Sequence, residues 1–343
     1  MTRRQCMKVE KRSFLVSFLV MLAIVFGLST HSQAETKFGF YCIAPPASPV
    51  IKVMEKLKKD LAENSDGEIV VDLYPSGQLG PESAGLNKLK IGAVKTAAIT
   101  GVAISKMEPK ANALMLPFVF DNWAEVKDFC QYSQGEYLND IEKSLDKKGL
   151  KLLGVGSYGF FNMLATEQFL TSPEDFKGVK IRVYPTKILI DLYKALGASP
   201  TPISFPEIYT ALQQGVIEAT DGTLDSAYAS KQYEVAKYLT RTKHLHGFFL
   251  YLANKSWFEG LPQVTQTKLE TKFREYAQME IEESESFADK MLKLFKEKGV
   301  ETKALKPEQR QELKEATREV HTKYSKKIGN DLVDKFYSEM DFQ

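Results

Sequence analysis

Residues 176–221 read FKGVKIRVYPTKILIDLYKALGASPTPISFPEIYTALQQGVIEATD. Val179, Ile181 and Val183 alternate with Lys180, Arg182 and Tyr184, which predicts a strand with one apolar face. Thr186 then starts a helix that keeps Leu189, Leu192, Tyr193 and Leu196 on one side, and Gly197 closes it. Ser204-Phe205-Pro206-Glu207 has the form of a capping box, in which hydroxyl and carboxylate each cover a free amide at a helix start. That helix ends at Gly215, and Val216 to Thr220 reads as a strand again. Strands separated by helices argue for a mostly parallel sheet covered by helices.

The same rhythm runs upstream. Lys37 to Ile43 is β-prone and is broken by Pro45-Pro46. Ser48 can cap a helix with Pro49 in its first turn and Val50, Met54, Leu57 and Leu61 as its stripe. Ile69 to Tyr74 alternates as a strand, Pro75-Ser76-Gly77 turns it, a short helix runs from Pro81 to Ile91, and Val94 to Thr100 is the next strand. Leu150 to Tyr158 and Phe248 to Ala253 read as further strands. From about Pro262 the chain is charged and mostly helical, with Leu269, Phe273, Tyr276 and Met279 at helical spacing. The expected class is α/β, as two α/β units with a helical C-terminal part.

The N-terminus narrows the function. Arg3, Arg4, Lys8, Lys11 and Arg12 precede an apolar stretch from Phe14 to Leu28, and Ser32-Gln33-Ala34 is a small-x-small cleavage pattern. This is the form of a secretory signal peptide (residues 1–34) cut after Ala34, which sends the mature chain to the periplasm. Its five basic residues and one Glu account for +4, so the chain's +2 becomes 2 − 4 = −2 on cleavage. Such a surface carries no electrostatic footprint for nucleic acid. Cys42 and Cys130 remain, as a disulfide or as two buried thiols. His244, His246 and His321 form no metal-ligand cluster with Cys or carboxylates, and neither metal nor cofactor is expected.

No catalytic signature is present: no Gly-x-Ser-x-Gly elbow, phosphate-binding loop, dinucleotide fingerprint or His-Glu-x-x-His. A secreted enzyme would need a positioned nucleophile or base, and the sequence nominates none. An exported α/β chain without such apparatus most simply binds something. Arg182 stands near the C-terminal end of a strand and before a helix, where open α/β sheets hold ligands. A guanidinium there can grip a carboxylate through two parallel hydrogen bonds, or simply close a surface ion pair.

Residues 172–183 (SPEDFKGVKIRV), 196–202 (LGASPTP) and 207–218 (EIYTALQQGVIE) resemble the solute-binding proteins of tripartite ATP-independent periplasmic (TRAP) transporters. Residues 74–80 (YPSGQLG), 116–120 (LPFVF) and 233–239 (YEVAKYL) extend the resemblance in the same order along most of the mature chain. It implies a two-domain periplasmic binding-protein fold (type II-like) with a hinged cleft, crossing strands and a long helix between the domains. The implied units are residues 35–158 with 248–287, and 159–247 with 288–343. The family's strand arginine, which pairs with a substrate carboxylate, falls on Arg182. The implied partners are a small organic acid and TRAP membrane permease subunits, with the protein itself a monomer. A ligand-sensing role remains open beside transport.

Two departures bear on the ligand. Many members carry a second arginine where Phe161 stands, and a ligand-contacting Asn where Gly222 stands. A lost cation and a gained aromatic point to a monocarboxylate with an apolar or aromatic part, with Gly222 making room for it. A C4-dicarboxylate or another polar acid is the alternative. Further pocket candidates follow by position: Tyr41, Glu82, Thr100, Tyr158, Tyr184, Phe205, Tyr209 and Asp221. Each aromatic among them can equally be core, and Asp221 can accept from a ligand or cap a turn.

Overall fold

The computed structural model describes residues 36–65, 67–131 and 135–339. The signal peptide and its cleavage after Ala34 lie outside the described residues. The strands are β1 (Thr36–Cys42), β2 (Ile69–Tyr74), β3 (Thr96–Thr100), β4 (Leu150–Ala165), β5 (Lys180–Val183), β6 (Ser199–Pro202), β7 (Ala219–Gly222), β8 (Tyr238–Asn254) and β9 (Glu301–Ala304). They form one sheet in the order β2-β1-β3-β8-β4-β7-β5-β6, with β9 added to β8.

Pairing is parallel inside each half, where β1 joins β2 and β3, and β5 joins β6 and β7. It is antiparallel across the join, from β3 to β8, β8 to β4 and β4 to β7. The expectation of a mostly parallel sheet therefore holds for the halves and fails between them. The reason is that β4 and β8 are long enough, at 16 and 17 residues, to serve both halves and to pair with each other along most of their length. The sequence reading ended the first at Tyr158 and began the second at Phe248, seeing only one half of each.

A single helix, Gln263–Glu297, lies across this join. Its apolar side meets the sheet through Phe273, whose ring is 6.2 Å from Phe40, and through Tyr251 beyond. Burying such a ring removes about 2–3 kcal/mol of exposure cost. The helix comes closest over β4, where glycines replace side chains. A Cβ on Gly156 would lie 1.8 Å from Glu280 Oε2. Glu280 is wholly buried and accepts from the Ser157 amide (3.0 Å) and the Tyr251 hydroxyl (2.9 Å). Ser284, one turn on, donates to the Ser157 carbonyl at 2.8 Å. The helix thus holds both backbone polar groups of Ser157, at the position where the β4–β8 register shifts between Ser157 and Gly159.

Burial pushes the Glu280 carboxyl up to about 8 from an ordinary 4.5. The folded protein then keeps a proton that the unfolded chain releases near 4.5. The resulting stability is full below that pH and is lost as pH rises through about 8. Urea unfolding of wild type and Glu280→Gln should show the wild type losing ground to the variant between pH 5 and pH 8. A pH-independent difference would overturn the assignment.

Cys42 and Cys130 are both buried and unbridged, which decides for two thiols over a disulfide. Ser48 occupies the predicted cap position but turns its hydroxyl to the Pro45 carbonyl instead of a helix amide. Ser204 and Glu207 do form the predicted capping box. Among the described residues no helix is long and apolar enough to cross a membrane, and no group of His, Cys, Asp and Glu could hold a metal ion.

Candidate ligand site

Arg182 occupies the third position of β5, between Thr201 of β6 and Thr220 of β7. The alternation that buries Ile181 and Val183 on one face would leave Arg182 on the other, yet it too is only 5% exposed. Its Nε donates to the Ile203 carbonyl at 2.9 Å, which fixes the guanidinium plane. The two Nη groups make no hydrogen bond among the described residues. The nearest carboxylate oxygen, Asp221 Oδ1, stands 3.8 Å from Nη1 as a loose ion pair and is buried without accepting a hydrogen bond. A cation whose outer edge makes no hydrogen bond, with an acceptor beside it, can receive a carboxylate that also carries a donor.

A buried chain of hydrogen bonds holds Asp221 in place. The Tyr193 hydroxyl donates to Asp221 Oδ2 at 2.9 Å and lies 2.8 Å from His244 Nε2, while His244 Nδ1 meets the Thr242 hydroxyl at 2.7 Å. These contacts are all satisfied when His244 carries its proton on Nε2 and accepts from Thr242. Burial presses the His244 pKa down to about 3, so the ring is neutral. Burial raises the Asp221 carboxyl, and Arg182 with the Tyr193 hydroxyl opposes that rise. Burial likewise lowers the Arg182 pKa, and Asp221 opposes it. The arginine and aspartate thus each offset part of the burial that disfavours the other's charge.

Aromatic rings wall this pair. The Arg182 guanidinium lies 6.0 Å from the Tyr184 ring, and Lys106 covers the same ring at 5.0 Å. Phe161 is half-buried, 5.9 Å from Tyr158 and 6.5 Å from His244. Glu82 is buried and accepts from the amide and hydroxyl of Thr100 at 2.7 and 2.9 Å. Burial raises its carboxyl; burial, with Glu82 adding to it, also raises Tyr41, Tyr158 and Tyr184. Arg182, Asp221, Tyr184, Phe161, Tyr158, Glu82 and Thr100 are thus brought together from five separate segments. At Gly222, beside Asp221, an added Cβ would approach Ser226 Oγ at 3.3 Å, closer than ordinary van der Waals contact.

Three candidates are placed differently. Tyr41 is fully buried and donates to the Gly80 carbonyl, so it is part of the wall's foundation. Phe205 is 45% exposed, and Tyr209 gives its hydroxyl to Glu234. Neither has a hydrogen bond or ring contact to the cluster among the described residues. Sequence reasoning missed Lys106, Tyr193 and His244. Tyr193 was visible only as a helix-stripe aromatic, and nothing local marked the other two.

The family described as Bacterial extracellular solute-binding protein, family 7 (DctP), matches residues 40–327 by its model. The C4-dicarboxylate-binding periplasmic protein DctP of Rhodobacter capsulatus is 28% identical over 94% of this chain and 96% of its own. Among solved structures, a TRAP periplasmic solute-binding protein from Ochrobactrum anthropi, with its C-terminus bound in the ligand-binding pocket, superposes with TM-score 0.85. It is 26% identical, covering 90% of this chain and 96% of that one. A TRAP periplasmic solute-binding protein from Desulfovibrio salexigens with bound orotic acid gives TM-score 0.81 at 26% identity, over 89% of this chain and 98% of that one.

Proposed function

The chain belongs to family 7 of the bacterial extracellular solute-binding proteins, the binding proteins of TRAP transporters, and from that premise we propose that it captures a small organic acid at Arg182 and delivers it to a TRAP membrane permease. The observation that carries this reading is the buried guanidinium with neither Nη group hydrogen-bonded among the described residues, in a loose 3.8 Å ion pair with a carboxylate oxygen that accepts no hydrogen bond. The ligand carboxylate takes the Nη edge, and a hydroxyl or ammonium on the ligand donates to Asp221 Oδ1. The protein works as a periplasmic monomer, without cofactor or metal. It closes about a hinge between residues 35–158 with 248–287 and residues 159–247 with 288–343, where β4, β8 and the long helix pass from one unit to the other.

The preferred ligand is a monocarboxylate with an apolar or aromatic part. Phe161, Tyr184 and Tyr158 supply flat apolar surface next to Arg182, and no second guanidinium stands at position 161. The orotate carried by the Desulfovibrio salexigens protein shares the single carboxylate and the flat ring of this reading, but its ring is polar. A second reading, a C4-dicarboxylate or another polar acid, is favoured by Lys106, a cation above the Tyr184 ring that can receive a second carboxylate. The ligand of the Rhodobacter capsulatus relative supports it.

A thermal-shift screen separates the two. A ligand that binds only the folded state at a hundred times its Kd should raise Tm by about 5 °C. Aromatic and branched monocarboxylates are expected to give the largest shifts. Best stabilisation by succinate, fumarate or malate would give the second reading the site. Failure of every organic acid would sink both.

A further inference from the structure

Away from the Arg182 cluster, a cavity of about 130 Å³ lies between residues 284–292 of the long helix and residues 158–162 of β4. Tyr158 is the one residue its wall shares with that cluster. Opposite charges line it without touching. Arg241 and Lys243 come from one side, and neither forms an ion pair or a side-chain hydrogen bond among the described residues. Asp225, from the helix Leu224–Ala229, also lines it without an ion pair among the described residues; burial raises its carboxyl, and hydrogen bonds from the Thr223 side chain and the Ser226 amide oppose that rise. The remaining acids do not cancel the cations: Glu285 is held by Lys127 at 2.6 Å, and Asp289 stands exposed at the mouth.

The wall also holds an acceptor with no donor. Asn162 is 5% exposed, its Nδ2 donates to the Phe160 carbonyl, and its Oδ1 is buried without a partner. Asn162 lies opposite an excursion in β8. Phe161 pairs with Leu245 and Met163 with Thr240, so residues 241–244 loop out against this single residue. Lys243 takes a left-handed backbone there (φ 46°) and lies 5.1 Å from the Phe160 ring. The excursion thus presents two cations to the cavity, while His244, the next residue, joins the Tyr193–Asp221 chain.

A buried amide oxygen without a donor, beside half-buried charges without ion partners, gains from a ligand that bridges them. We propose that this cavity is a second binding site, which takes a small zwitterion of α-amino-acid size. Its carboxylate meets Arg241 and Lys243, and its ammonium donates to Asp225 and Asn162 Oδ1. A plain anion would leave Asn162 Oδ1 without a donor and Asp225 without a cation, and a plain amine would leave the two cations without an anion.

Trp123 lines the cavity and is one of two tryptophans in the chain. With Trp257→Phe as background, its emission reports occupancy. Glycine and L-alanine are the probes, and glycolate and methylamine each lack one of the two charges. Both zwitterions should produce a saturable change that persists in Arg182→Ala. Binding should weaken about tenfold or more in Lys243→Met and in Asp225→Asn, and be about tenfold weaker for glycolate and methylamine, because each change removes a charged hydrogen bond. Two variants on opposite walls guard against a folding defect in either, with melting followed by circular dichroism. No saturable response would overturn the proposal, as would a response that survives both wall variants. Loss of the response in Arg182→Ala would assign the zwitterion to the acid cleft instead.

Discussion

Arg182→Ala is expected to weaken binding of the best-stabilising acid about a hundredfold or more, because truncating one partner of a buried charge pair costs about 2–5 kcal/mol. The guanidinium is 5% exposed, and its plane is fixed by the Ile203 carbonyl. It enters the complex already oriented and already stripped of water. Arg182→Lys should recover little, since an ammonium keeps the charge but not the fork. The fold should survive, because the pair of Arg182 with Asp221 is a loose one at 3.8 Å and the strand is held by Ile181 and Val183. What remains is Asp221 without its cation, and burial then raises its carboxyl further. Stability of the variant should therefore fall, relative to wild type, as pH rises. Calorimetry with the acid chosen by the thermal screen measures the first effect, and unchanged affinity would remove Arg182 from the anchor role.

The largest effect on stability is expected from Gly156→Ala. The new methyl would meet Glu280 Oε2 at 1.8 Å and the Tyr251 ring at 2.8 Å, deep under the long helix. Relieving that overlap means moving Glu280 away from the Ser157 amide and the Tyr251 hydroxyl. Overpacking and the two buried donors left unsatisfied together cost about 3 kcal/mol or more. Urea denaturation measures it. Adding Glu280→Ala should give back part of the loss, since the two residues compete for one volume and their effects cannot add. A double mutant as unstable as the sum of the singles would show that the clash lies elsewhere.

The fold was legible where its signals are local. Alternation around Arg182, the stripe of Leu189, Leu192 and Tyr193, and the capping box at Ser204 and Glu207 each depend on neighbours a few residues apart. The second halves of β4 and β8 gave no such signal. From Gly159 to Ala165 the strand is buried on both faces or nearly so, which removes the polar alternation that marks a half-exposed strand. Its partner residues 238–247 lie some eighty positions away, and register shifts interrupt the pairing in three places. Glu280 was hidden for the same kind of reason. In the sequence it is one acid among several in a charged helix, and only the glycine surface of β4 brings it into the dry interior.

The sequence alone carried the α/β class and the resemblance to TRAP solute-binding proteins, and through that resemblance the choice of Arg182, whose strand-end position by itself left a surface ion pair open. Phe161 and Gly222 were local facts, being departures at single positions. The tertiary structure alone decided that Arg182 has Asp221, Tyr193 and His244 behind it, and that Lys106 offers a second cation over Tyr184. It alone decided that Tyr41 is foundation and that Arg241, Lys243, Asp225 and Asn162 share one cavity. Those residues come from segments far apart in the chain, and what joins them is the crossing of two long strands under one helix. Burial there sets charge and hydrogen-bond supply together, and no run of neighbouring residues encodes burial at a crossing.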